Sequence, residues 1–135
     1  MRRRLLLTSL VAFALPLASG ALAGEGGEGG GKKAKPPFLQ LKTVAVSIVR
    51  ATGKRGVLTV EVGLDVPDPK MRDQLDLYLP LLYSAYVSAL QPYGLGLAPA
   101  QPPSADFISI TLQRETDRVL RRRGAKVLLG SILVN

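Results

Sequence analysis

Cysteine, histidine and tryptophan are absent from the 135 residues of this chain. Because there is no cysteine, no disulfide can form in any compartment, and the fold must be stabilised by packing. The absence of both histidine and cysteine also excludes most nucleophile–base pairs and most zinc, copper and haem sites. No other pairing of a nucleophile with a base is visible in the sequence, so we expect a protein that is not an enzyme and that uses no cofactor or metal.

The N-terminus has the three parts of a secretory signal peptide. Three arginines at positions 2–4 precede an apolar run over residues 5–17, and small residues then lead to Ala21-Leu22-Ala23. This pattern predicts cleavage after Ala23, so that the mature chain begins at Gly24 in the periplasm. The paired arginines followed by leucines also fit a loose twin-arginine signal, so the pattern leaves the export route open.

The alternative to cleavage is that residues 5–23 stay attached as an inner-membrane anchor. A spanning helix needs about 20 apolar residues, and a shorter run is more typical of a signal peptide. Pro16 and Gly20 also lie where signal peptides commonly break their helix before the cleavage site. Cleavage is therefore favoured, and the domain is expected in the periplasm under both interpretations.

Residues 24–37 read GEGGEGGGKKAKPP, a composition that predicts a linker without a core of its own. Its lysines at positions 32, 33 and 35 indicate either a contact with the inner-membrane surface or a solvated tether. The chain carries a net charge of +8, which falls to +5 without the three signal arginines. This charge favours acidic proteins or anionic lipid as partners, and nucleic acid is not expected to bind an exported protein.

Residues 38–135 are expected to form one domain with a single core. Apolar and polar side chains alternate over residues 38–50 and again over residues 57–66, which predicts two strands. Residues 51–56 contain two glycines and predict the turn between them. The two strands should therefore form an antiparallel hairpin with one buried face.

A helix is predicted to follow, with Asp68 as its N-cap and Pro69 at its first position. Apolar residues then recur at spacings of three or four, as Met71, Leu75, Leu79, Leu82, Tyr86 and Leu90. Pro80 lies inside this stripe without shifting its phase, which favours one kinked helix over two short ones. The half after Pro80 is apolar nearly all round, and indicates either a central core helix or an interface.

The remaining chain predicts a loop, a helix and a strand. Prolines and glycines mark residues 91–103 as the loop. Ser104 is a candidate N-cap for a helix reaching about Arg123, and Gly124 should end it. Residues 125–134 are apolar and predict a strand buried on both faces at the centre of the sheet. The predicted fold is α+β, with a hairpin and a C-terminal strand in a small sheet packed against the kinked helix and the second helix.

Two clusters are candidates for contacts with a partner. Tyr83, Tyr86 and Val87 lie in the apolar half of the first helix, although core packing also explains them. Arg121, Arg122 and Arg123 form the densest charge cluster outside the signal segment, although cations at a helix C-terminus also offset the helix dipole. In addition, Asp117 and Arg121 are spaced for an ion pair on the helix surface.

The order of these elements resembles the periplasmic domain of the FliL family of flagellar basal-body-associated proteins. The resemblance covers about residues 38–135. It depends on LTVEVGLDV at residues 58–66, on Leu79-Pro80 with the apolar helix after it, on LQRETDRVL at residues 112–120, and on residues 127–135.

This resemblance implies a non-enzymatic accessory of the flagellar motor, with a stomatin-like fold that assembles in rings around the stator. The family has a true membrane anchor, whereas this chain has a short signal-like segment. The expected function is an exported interaction module whose partners are flagellar stator or basal-body proteins, other envelope proteins, or further copies of itself. The alternative is a periplasmic module that binds a small ligand or lipid. A sizeable apolar cavity beside the kinked helix would favour that alternative, whereas a packed core with an exposed apolar patch would favour assembly.

Overall fold

The computed structural model describes residues 35–135, so the predicted signal peptide, its cleavage site and most of the linker lie outside the described residues. The elements in chain order are β1 (Phe38–Gln40), β2 (Val44–Val49), β3 (Arg55–Asp65), α1 (Pro69–Gly96), α2 (Ala105–Leu120) and β4 (Lys126–Val134). The four strands form an antiparallel sheet. The predicted α+β fold is thereby confirmed. Within residues 35–135, no helix combines the length and the hydropathy that crossing a bilayer requires.

The central strand is β3, because its eleven residues are long enough to pair with all three other strands. Along one side it pairs with β2 at its beginning and with β1 at its end. The single strand predicted over residues 38–50 is therefore wrong. Three residues, 41–43, lie opposite only Glu61 and Val62, and this extra residue interrupts the ladder between β1 and β2.

The other side of β3 pairs with β4 from Asp65↔Lys126 to Leu58↔Val134. The prediction that this C-terminal strand is central and buried on both faces is wrong, because β4 is an edge strand and Val127 is its one fully buried residue. Both helices pack on the same face of the sheet, so the other face of β4 stays exposed. An apolar run alone does not distinguish a buried strand from one that keeps an apolar surface exposed.

Helix α1 begins as predicted, with the Asp68 carboxylate accepting a hydrogen bond from the Lys70 backbone N–H at 3.0 Å. It is one helix that continues through Pro80 and Pro92. The loop predicted from residue 91 is therefore wrong in its first part. Both prolines lie on the exposed side of α1, where water can satisfy the carbonyl groups that they leave without a donor.

Helix α2 begins at the predicted cap, because the Ser104 hydroxyl accepts a hydrogen bond from the Phe107 N–H. It ends at Leu120 rather than near Arg123. Arg121 already has left-handed backbone geometry, with φ of 54°, and Gly124 follows with φ of 132°. The core lies between the two helices and the inner face of the sheet, and it includes Val44, Leu58, Val62, Leu82, Leu90 and Leu112.

Candidate interaction surface

The two helices are joined by a buried polar contact. Thr116 Oγ1 donates to the Leu112 carbonyl at 2.7 Å, which uses its only proton. The Tyr86 hydroxyl, 2.5 Å away, must therefore donate to Thr116 Oγ1. Burial raises the pKa of Tyr86 to about 12. Tyr86 is wholly buried, so it does not belong to an accessible contact surface.

The other two residues predicted to contact a partner from this helix, Tyr83 and Val87, are half-buried. Tyr83 lies beneath Lys42, whose Nζ is 5.2 Å from the ring centroid, and it packs against the core together with Val87. The cavity beside this part of α1 has a volume of about 120 Å³. Ligand sites are commonly about 300–1,000 Å³, so this space is too small for a drug-sized ligand.

A different apolar surface of α1 is exposed. The side chains of Leu77, Leu81 and Leu95 are 78%, 58% and 56% exposed. Leu81 follows Leu77 by one turn and Leu95 follows it by five, so the three share one face. Phe107 of α2 is also exposed, but its ring stacks on Tyr93, which lies roughly 160° around α1 from Leu95, so it is apart from this face.

We call Leu77, Leu81 and Leu95 the apolar helix surface. No Asp, Glu, Lys or Arg occurs between Asp76 and Asp106, so this surface is uncharged over most of its length. The sequence predicted that the half of this helix after Pro80 is apolar nearly all round, but the contact residues predicted there are Tyr83, Tyr86 and Val87. The available signal was that Leu77 and Leu81 are out of phase with the buried stripe.

The three arginines follow the end of α2 and are exposed. Arg122 donates to Gln74 Oε1 at 3.0 Å, and among residues 35–135 none of the three forms an ion pair. The predicted Asp117–Arg121 pair is not formed. Arg121 lies beyond the helical part of the chain, and the Asp117 carboxylate instead accepts a hydrogen bond from Gln113 Nε2.

The free side of β2 is covered by α1. Gly94 lies so close to this strand that a Cβ atom added to it would be 2.7 Å from the Ser47 carbonyl oxygen. Gln91 also reaches Ser47, donating to its carbonyl and accepting from its N–H, both at 3.4 Å. A side-chain amide thus occupies the backbone position where another strand would bind.

The free side of β4 is covered only at its beginning. Gln113 Oε1 accepts from the Val127 N–H, and its Nε2 donates to the Ala125 carbonyl, both at 2.8 Å. Beyond this point Leu128, Leu133 and Val134 are exposed. Among residues 35–135, nothing pairs with the outer side of β4 from residue 128 to residue 134, and we call this part the open edge.

A groove of about 590 Å³ lies where β2 and β4 end beneath the loop between the helices. Its apolar walls include Ile48, Leu97, Pro103 and Val134, and its polar residues are Arg50, Gln101 and Asn135. The volume falls in the range of ligand sites. The groove is at the C-terminal end of α1, far along the helix from Pro80.

Acidic side chains are not assembled into a catalytic or metal site in the part of the chain that the structure describes. Glu61 Oε2 instead accepts a hydrogen bond from the Ser131 N–H at 3.2 Å, where Gly130 and Ser131 form a bulge opposite it in β3. The carboxylate thus stabilises the bulge in β4.

Comparison with known proteins gives no match for this chain, whether with family models, curated proteins or solved structures. The resemblance to the FliL family therefore stays a prediction from the sequence patterns.

Proposed function

We propose that this chain is an exported, non-enzymatic interaction module, similar to the FliL family and accessory to the flagellar motor, the basal body or envelope assembly. The observation that carries the proposal is the apolar helix surface. Large exposed leucines on one face of a helix are unfavourable in water and are typical of a contact with another protein. The face is rigid, because α1 is fixed to α2 through Tyr86 and to β2 through Gly94.

The arginine cluster supplies a second part of the proposed contact. Arg121, Arg122 and Arg123 are exposed cations beside the N-terminal half of α1, where Arg122 contacts Gln74. A partner that combines an apolar patch with carboxylates would meet both features. Rim charges of this kind mainly increase the association rate and the salt dependence of binding.

The test is site-specific cross-linking in the native host. A photoreactive residue at Leu81 should capture a basal-body or stator protein in a flagellated host, and another envelope protein elsewhere. Leu77→Asp with Leu81→Asp should abolish capture by a photoreactive residue at Leu95, because a partner that excludes water would have to bury both carboxylates. Charge reversal at Arg121 to Arg123 should weaken capture and reduce its dependence on salt.

The matched control is Ala51→Asp with Thr52→Asp, which adds the same two negative charges at the exposed turn between β2 and β3. It should leave capture unchanged. Equal capture by the control, the leucine variants and the arginine variants would overturn this assignment. Normal swimming of a deletion strain in a flagellated host would exclude the motor role and leave envelope assembly.

The groove favours a second candidate function, the binding of a small amphipathic ligand or lipid. Its apolar walls would hold an acyl or aromatic group, and Arg50 would face an acidic group. Native mass spectrometry of the chain purified from its host should then detect a bound small molecule. Leu97→Trp should fill the groove and remove that molecule, whereas Leu95→Trp, on the exposed helix face, should retain it.

A further inference from the structure

The open edge of β4 has identifiable hydrogen-bonding groups. Val57 and Asn135 exchange two backbone hydrogen bonds, at 2.8 and 2.9 Å. Because bonded and non-bonded pairs alternate in an antiparallel ladder, Ile132 and Val134 direct their N–H and C=O groups away from β3. Before the bulge, the Val127 N–H bonds to Gln113, so Leu129, two residues later, also faces away.

The edge also lacks the features that usually prevent pairing. Between Lys126 and Asn135 it contains no charged residue and no proline. The bulge is a common protective device, but here the Ser131 N–H bonds to Glu61 and Gly130 has no side chain to obstruct an approaching strand. Neutral, apolar edges with free backbone groups are templates for another strand.

This edge is complementary to itself. Counted by the register with β3, Leu129 precedes the bulge by one position and Ile132 follows it by one. A twofold axis through the bulge therefore pairs Leu129 of one copy with Ile132 of the other, twice, through their outward-facing groups. On the exposed face, Leu128 and Leu133 of the two copies approach one another across the same axis. Within β4 itself no like charges face each other, because its nearest charged residue is Lys126 at its end. The charged group closest to the axis is the Glu61 carboxylate of β3, which accepts a hydrogen bond from the Ser131 N–H.

An exposed side chain of α2 adds to this edge. Ile110 is three residues before Gln113, so the two share a flank of α2, and Gln113 contacts the beginning of β4. Ile110 is 69% exposed, although it lies beside a half-buried apolar strand. A second copy at the edge would cover it.

We infer that two copies of this chain pair through the open edge of β4, antiparallel and centred on the bulge, to form a continuous eight-stranded sheet. The inference rests on the proposed function and deepens it by naming a second copy as one partner. The apolar helix surface lies on α1, over the covered β2 side, and stays free in this dimer. The dimer would therefore present two such surfaces to other proteins.

The test exchanges charges across the axis. One variant carries Leu129→Lys with Ile132→Lys, and the other carries Leu129→Glu with Ile132→Glu. The wild-type chain, as recovered from cells, should have twice the chain mass, and each variant alone should have the mass of one chain. An equimolar mixture should recover the double mass, because lysines then face glutamates in both pairs. Leu95→Lys adds a charge on α1 and should stay dimeric.

Amide hydrogen exchange keeps the test independent of how well the variants fold. In wild-type protein, the Leu129 and Ile132 amides should exchange about tenfold or more slowly when concentration rises from low to high micromolar. Wild-type protein that stays monomeric, variants that stay dimeric, or a mixture that stays monomeric would each overturn the inference. Protection of these amides in a monomer by an added extract would assign the edge to a foreign strand instead. If the photoreactive residue at Leu81 captured no other protein while the dimer stayed intact, the proposed function would be refuted and the dimer would not.

Discussion

The two edges of the sheet are treated differently. On the β2 side, α1 lies close to the strand, Gly94 permits that approach, and Gln91 occupies the backbone groups of Ser47. On the β4 side, Gln113 performs the same task for Ala125 and Val127, and within the described part of the chain the following residues have no such cover. A helix covers one edge, whereas a single side chain covers only the start of the other.

This difference indicates where stability and where binding reside. A covered edge contributes buried contacts and leaves no template for another strand. An open apolar edge adds little to the stability of the monomer and is available for association. We therefore expect changes on the α1 side to affect folding, and changes on the β4 side to affect self-association.

The largest expected effect concerns the hydrogen bond between Tyr86 and Thr116, which joins α1 to α2. Burial raises the pKa of Tyr86 to about 12, above the unfolded value of about 10. As the pH rises, the Tyr86 hydroxyl therefore loses its proton in the unfolded state before it does so in the folded state. The contribution of this group to the free energy of unfolding is fully present below pH 10 and is lost between pH 10 and 12, by about 3 kcal/mol in total. Urea unfolding at several pH values would measure this loss.

The control for this prediction is Tyr86→Phe, which removes the titrating group. It should cost about 1 kcal/mol at neutral pH, because Thr116 loses its donor. Between pH 10 and 12 it should lose less stability than the wild type. Identical pH profiles for the two proteins would show that Tyr86 is not the responsible group.

The next largest effect should come from a substitution that disrupts the packing of α1 against the β2 edge. Gly94→Ala places a Cβ atom 2.7 Å from the Ser47 carbonyl oxygen, so α1 and β2 must separate. Overpacking costs about 1–3 kcal/mol, which outweighs the usual gain of up to about 1 kcal/mol for alanine in a helix. Gly96→Ala, two residues later, meets nothing within 4 Å and should be neutral or stabilising. In thermal unfolding, Gly94→Ala should lower the Tm, whereas Gly96→Ala should leave it unchanged or raise it. Equal decreases in both variants would argue against a close approach of α1 to β2.

The sequence predicted the parts of the fold that depend on local chemistry. Asp68 and Pro69 determine the start of α1, and the buried stripe from Met71 to Leu90 follows the helical period. The end of α1 could not be predicted in the same way, because Pro92 is locally a stop signal. Its tolerance depends on Gly94 against β2 and on Leu97 in the core, which are contacts between distant parts of the chain.

The candidate surfaces were less predictable than the fold. Apolar composition indicated that α1 and the C-terminal strand had more hydrophobic surface than one core face needs. It did not indicate which residues would be exposed, since Tyr86 is buried and Leu81 is not. Gln91 and Gln113 carry no local signal for their binding to strand edges, because their partners are decided only when the sheet forms.

Smaller losses of stability are expected when the two glutamines that bind the strand edges, Gln91 and Gln113, are each replaced by alanine. Gln113→Ala removes two hydrogen bonds of 2.8 Å to the start of β4 and one of 3.1 Å to Asp117, and it should cost about 1–2 kcal/mol. Gln91→Ala removes two of 3.4 Å and should cost about half as much or less. Gln113→Ala should also strengthen self-association, because it frees the Val127 N–H to pair with Val134 of a second copy. Urea unfolding and sedimentation would measure the two effects. Weaker self-association would contradict the idea that Gln113 limits the open edge.

The smallest effect on stability should come from a proline placed on the open edge itself. The Val134 N–H faces away from β3, so Val134→Pro removes no hydrogen bond of the monomer and should change its stability by less than about 1 kcal/mol. Leu133→Pro is the matched control, since the Leu133 N–H faces Thr59 in a bonded pair and its loss should cost about 3 kcal/mol. Chemical denaturation of both variants would locate the open side of β4, because neighbouring residues of one strand differ here only in the direction of their backbone groups. Equal losses would mean that something covers Val134 as well, and the contrast between the two edges would then disappear.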